Sequence, residues 1–157
     1  VVNVASIAHE RGRFHFDDLQ GEKRYGAVRA YAQSKLTNIV FTYELARRLE
    51  GTGVTANCLD PGATKSGLGK GNGGLAPRYW RLRQPFLAPE DKWAETPIYL
   101  ASSTDVTEIS GGYWAERKLR PSSKLSYDAD DAKRLWTVSE ELLASRGSDQ
   151  NTEEPTG

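Results

Sequence analysis

The chain has 157 residues, with 21 Lys and Arg against 21 Asp and Glu, so no net field draws it toward nucleic acid or an anionic membrane surface. That length suits one domain with enough apolar content for a core. A single cysteine, Cys58, rules out an internal disulfide, and its place in an apolar run predicts a buried structural thiol in a reducing, cytoplasmic setting. No apolar run approaches the ~20 residues of a membrane helix, so a soluble protein without a membrane span is expected.

The chain opens on Val1-Val2-Asn3-Val4-Ala5 and contains no Met. A β-branched run with nothing before it reads as a strand over 1–5, and the two features together suggest a piece of a longer protein. A polar stretch with turn signals at Gly12 and Gly21 separates Ser6 from the next element. There, Leu36, Ile39, Val40, Tyr43 and Ala46 recur at threes and fours, predicting an amphipathic helix over 30–50 that Gly51 and Gly53 end. Residues 54–59 read as a second strand, stopped by Asp60-Pro61-Gly62. Strand, helix, strand is a βαβ crossover, which requires a parallel sheet. Ligands of such sheets gather at the C-terminal ends of strands, where Ser6 and Pro61-Gly62 fall.

Residues 66–88 are Gly-rich and then aromatic, and read either as a disordered loop with scattered aromatics or as a flap with apolar anchors at Tyr79, Trp80, Phe86 and Leu87 that favours an apolar substrate. Proline and acids around position 90 predict a helix to about residue 101, bent at Pro97. A short third strand is expected over 111–115. A last helix is expected over 128–144, with Ala132, Leu135, Trp136, Val138, Leu142 and Leu143 on its apolar face. The organisation is one domain over 1–145 and a small, polar, disordered tail over 146–157. His9 and His15 stand in a polar loop and read as surface residues, with no metal-ligand spacing.

The stretch Tyr31-Ala32-Gln33-Ser34-Lys35 carries the chemistry. Tyr and Lys four apart share a helix face, and a cation beside a phenol favours the phenolate and eases proton transfer. With "NVAS" at the first strand, "YAQSK" on the helix and "ANCLDPG" at the second strand, the chain resembles the C-terminal portion of the short-chain dehydrogenase/reductase family. The long insert between Ser6 and Tyr31 and the segment "DAKRLWTVSEELL" resemble its retinol dehydrogenase-like and protochlorophyllide reductase-like branch.

The resemblance implies an α/β fold: the C-terminal half of a Rossmann-type doubly wound parallel sheet in three αβα layers, without the N-terminal βαβ units. It makes Tyr31 the acid/base, Lys35 its electrostatic partner and ligand of the nicotinamide ribose, and Ser6 the holder of the substrate oxygen. Pro61 and Gly62 would line the nicotinamide. Thr64 and Ser66 match positions with hydroxyls near the carboxamide or pyrophosphate, although Ser and Thr are also ordinary turn residues. Asn3 is read as structural.

The implied activity is NAD(P)-dependent hydride transfer between a nicotinamide and a small apolar carbonyl or alcohol, with NADP(H) favoured over NAD(H) and homo-oligomerisation left open. The family's TGxxxGxG and NNAG segments are absent, and Asp60 stands where the branch commonly has His. A truncated or degenerate non-catalytic interaction module is therefore the alternative expectation.

Overall fold

The computed structural model describes residues 1–62 and 90–150. Strand β1 (Val2–Val4) runs into a 3-10 turn at Ile7–Arg11. Then follow helix α1 (Ala27–Arg48), strand β2 (Asn57–Asp60), helix α2 (Glu90–Ser102), strand β3 (Tyr113–Ala115), strand β4 (Lys118–Arg120) and helix α3 (Ala129–Gln150). The described strands form one sheet in the order β1-β2-β3-β4, the first three parallel and β4 antiparallel to β3.

Alternation along the strands divides the core in two. Cys58 and Tyr113, opposite each other in register, face α1 with Ala5, Ile39 and Tyr43. Their neighbours Leu59 and Trp114 face the other way, onto Val106 and onto Tyr99 and Leu100 of α2. Successive strand side chains point to opposite faces, so both faces of β2 and β3 are covered. Helix α3 lies against α1, where Leu36 and Val40 meet Ala132 and Leu135 over Phe14 and Phe16. This is the expected three-layer, partial Rossmann-type α/β arrangement, and Cys58 is buried as expected. Burial pushes the Cys58 thiol up to about 12.

Several boundaries differ from the sequence reading. The second strand begins only at Asn57, because Gly53 turns the chain at φ 77° and Val54 stays exposed. The third strand is half of a hairpin whose partner, β4, sequence patterning did not reveal. All three β4 residues are exposed, so no alternation marks them. Helix α3 continues to Gln150, past the expected end and into the segment read as a disordered tail. Its apolar face closes earlier, since Leu142 and Leu143 are exposed. Residues 151–157 lie outside the described residues.

A buried asparagine fixes the approach to β3. Asn57 donates to the Ile109 carbonyl at 2.6 Å and accepts from the amide of Gly112 at 2.9 Å. A Cβ on Gly112 would stand 2.5 Å from Trp114 Nε1, so only glycine fits there.

Candidate active site

The C-terminal ends of β1, β2 and β3 share one edge of the sheet, and the N-terminal part of α1 lies over it. Val4 pairs with Leu59, so Ser6 and Pro61, each two residues further on, leave the sheet side by side. The crossover brings α1 back antiparallel to the strands and sets Tyr31 and Lys35 in its first turns.

Lys35 is the link between helix and strand. Its Nζ donates to the Val4 carbonyl at 3.3 Å and lies 5.6 Å from the centroid of the Tyr31 ring. Asn38, one turn on, donates to the same carbonyl at 2.9 Å. The Tyr31 ring is part-exposed, and its hydroxyl has no hydrogen-bond partner among the described residues. Ser6 caps the 3-10 turn, its Oγ accepting from the amide of Ala8 at 3.2 Å. Since that oxygen acts as acceptor, its own proton stays available for another acceptor.

The structure thus brings Tyr31 and Lys35 together and places Lys35 against the strand that ends at Ser6. The loop bearing Ser6 is pressed onto α1 through Gly12, where a Cβ would meet the Ala32 carbonyl at 2.7 Å and Leu36 Cβ at 2.8 Å.

At the end of β2, Asp60 accepts from the amide of Gly62 at 2.9 Å and folds the turn on itself. Gly62 takes φ 80°, and a Cβ there would stand 2.7 Å from the Trp93 ring. Its lack of a side chain is thus used by an indole of the same chain, a contact that sequence reasoning missed. Asp60, Pro61, Gly62, Trp93, Thr96 and Arg117 line part of a cleft of about 620 Å³ at this edge. Thr64, Ser66, Tyr79, Trp80, Phe86 and Leu87 lie outside the described residues.

His9 corrects the sequence reading outright. It is 1% exposed, not a surface residue, and both ring nitrogens are engaged. Its position three residues after the strand-end serine was the available signal. His15 is half-buried, and its amide donates to Gln33 Oε1 at 3.1 Å. No cluster of His, Cys, Asp and Glu among the described residues could hold a metal.

The donor set suits the ribose end of a nicotinamide cofactor. Lys35 offers three N–H donors, of which one long bond to Val4 uses one. Among the described residues no glycine-rich turn joins a strand to a helix, so nothing comparable is offered to a pyrophosphate.

No family model matches the chain. Among curated proteins it is 44% identical over 143 residues to retinol dehydrogenase 12 of Mus musculus, covering 91% of this chain and 45% of that protein. It is 40% identical over 143 residues to retinol dehydrogenase 11 of Homo sapiens, with the same coverage of 91% and 45%. A solved structure, an uncharacterised protein of Mycobacterium paratuberculosis, superposes with a TM-score of 0.63 at 31% identity, over 90% of this chain and 49% of that one.

Over most of its length the chain is similar to retinol dehydrogenases, which are short-chain dehydrogenase/reductase homologues. It spans about half the length of the curated relatives it matches, and that span fits the C-terminal part of a short-chain dehydrogenase/reductase. The likeness to retinol dehydrogenases agrees with the long segment between Ser6 and Tyr31, which here forms the His9 turn and the loop over α1. In addition, no helix among the described residues is long and apolar enough to cross a membrane.

Proposed function

We propose that these residues form the proton-transfer side of a nicotinamide-dependent oxidoreductase site acting on an apolar alcohol or its carbonyl product. The observation that carries the reading is the placement of the Lys35 ammonium between the Tyr31 ring and the end of the strand bearing Ser6. Kinship with proteins named retinol dehydrogenases supports an alcohol or aldehyde on a long apolar skeleton as substrate. NADP(H) is proposed ahead of NAD(H), following the branch that the sequence resembles.

When bound, the nicotinamide supplies or accepts the hydride. Tyr31 gives its phenolic proton to the substrate oxygen during reduction and takes it back from the alcohol in the reverse direction. The Lys35 ammonium stands on the same helix face, 5.6 Å from the centroid of the Tyr31 ring. The Ser6 hydroxyl, held as an acceptor by the Ala8 amide, directs its proton at the substrate oxygen and keeps that oxygen within reach of Tyr31. Lys35 also has donors left for the ribose hydroxyls.

The test is oxidation of retinol by the purified protein with NADP⁺ or NAD⁺, beside Tyr31→Phe and Ser6→Ala. The Tyr31→Phe rate should fall by ~10²–10⁴, the usual worth of a general acid/base. Wild-type turnover in Tyr31→Phe would overturn the reading.

A further inference from the structure

We infer that His9 is a positioning residue of this site: it holds the backbone of Ser6 in place and ties it to the segment ahead of α3. The inference rests on the reading of Ser6 given above.

The imidazole is fixed from three sides. Nδ1 lies 2.7 Å from the Ser6 carbonyl oxygen. That oxygen can only accept, so Nδ1 carries the proton. Nε2 lies 3.0 Å from the amide nitrogen of Ser123, which can only donate, so Nε2 is bare. Only the neutral Nδ1–H tautomer satisfies both. Edge-to-face contact with Tyr113, at 4.9 Å between ring centroids, closes the third side.

Ser6 is therefore held at both its oxygens. The carbonyl takes the His9 ring N–H and the His9 amide, the latter at 3.1 Å, while Oγ takes the Ala8 amide. Ser123 belongs to a compact knot in which Ser122 Oγ meets Tyr43 Oη at 2.7 Å and Ser126 Oγ at 2.6 Å. His9 thus fastens a strand-end loop to a network on α1 and the turn leading into α3. A buried histidine that only filled space would have no need to direct each nitrogen at a different chain segment. Proton transfer tolerates little displacement of the group that orients the substrate oxygen.

Two substitutions separate the halves of the tether. His9→Asn keeps an amide N–H near the Nδ1 position, in reach of the Ser6 carbonyl, but cannot reach Ser123. His9→Gln reaches Ser123 with its carbonyl oxygen and leaves the Ser6 carbonyl without the ring donor.

With retinol and NADP⁺, kcat should fall tenfold to about a hundredfold in both variants, because each breaks one half of the tether, with KM for the cofactor little changed. Thermal unfolding measured beside the kinetics separates positioning from stability. If kcat in both variants merely follows the loss in Tm, or if His9→Gln turns over like wild type while Ser6→Ala does not, the positioning role is overturned. If Ser6→Ala is also fully active, the functional reading itself falls. Independently of activity, ¹⁵N spectroscopy of wild-type His9 should show a protonated Nδ1 and a bare Nε2, and the opposite tautomer would overturn the proposal.

Discussion

At the scale of single residues, buried atoms without partners and glycines without room make the sharpest predictions. Tyr113 is 3% exposed, and its hydroxyl has no hydrogen-bond partner among the described residues. Leaving a buried hydroxyl unsatisfied costs ~1–3 kcal/mol, so Tyr113→Phe should stabilise the fold by about 1 kcal/mol, read as a rise in the midpoint of urea unfolding. Gly62 gives the opposite case. At φ 80° any side chain is strained, and the Trp93 ring fills the place where a Cβ would go. Gly62→Ala should cost roughly 1–3 kcal/mol, seen as a lower Tm.

The Tyr31–Lys35 pair was legible in the sequence because helical spacing alone puts the two side chains on one face. Beyond its place three residues after Ser6, a local partner, nothing in the sequence showed the burial of His9, because its distant contacts depend on tertiary folding. One is Ser123, which only the packing of α3 onto α1 brings close.

At the scale of elements, the β3–β4 hairpin shows how a turn hides in a sequence. Ala115 pairs with Lys118, and the two turn residues, Glu116 and Arg117, take φ 53° and 58°. Such a turn normally announces itself as Asn-Gly. Here a charged pair occupies it, steadied by the Arg117 amide donating to the buried Thr96 hydroxyl at 3.1 Å. Replacing the pair with Asn-Gly keeps that amide and relieves left-handed strain. It should therefore stabilise the protein by about 1 kcal/mol in chemical denaturation. The ion pairs lost with it, Arg117–Glu95 and Arg120–Glu116, are exposed and contribute little.

Helix α1 carries its own pH-dependent element. The Glu44 carboxylate is 4% exposed and accepts from Arg47 and Arg48 at 2.7–2.8 Å. Those hydrogen bonds, Arg47's foremost, hold it down at about 2, against an ordinary 4.5. A depressed carboxylate stabilises the fold fully above its ordinary value, and that contribution is lost as pH falls from 4.5 toward 2. Because both arginines are about half exposed, the contribution is about 1 kcal/mol. The Tm difference between wild type and Glu44→Gln should be constant near neutrality and shrink through that acid window.

At the scale of the whole molecule, the parallel order of β1, β2 and β3 followed from a βαβ pattern that sequence shows plainly. The position of α3 against α1 did not, since its apolar positions could equally have met the sheet. β1 has no neighbour on its outer side among the described residues. The bonds from Asn57 N to Val1 O and from Ala5 N to Leu59 O show that the odd-numbered residues turn their backbone groups toward β2. The amides of Val2 and Val4 therefore face outward, while those of Asn3 and Ala5 are turned to β2, and hydrogen exchange should find these last two protected.

The outward carbonyl of Val4 is served instead by two side chains, Asn38 and the weaker, longer bond of Lys35. Any strand that settled alongside β1 would offer that carbonyl an amide at ladder distance, in direct competition with the ammonium. Tenancy of the sheet margin and the liberty of Lys35 are in this way two sides of a single equilibrium.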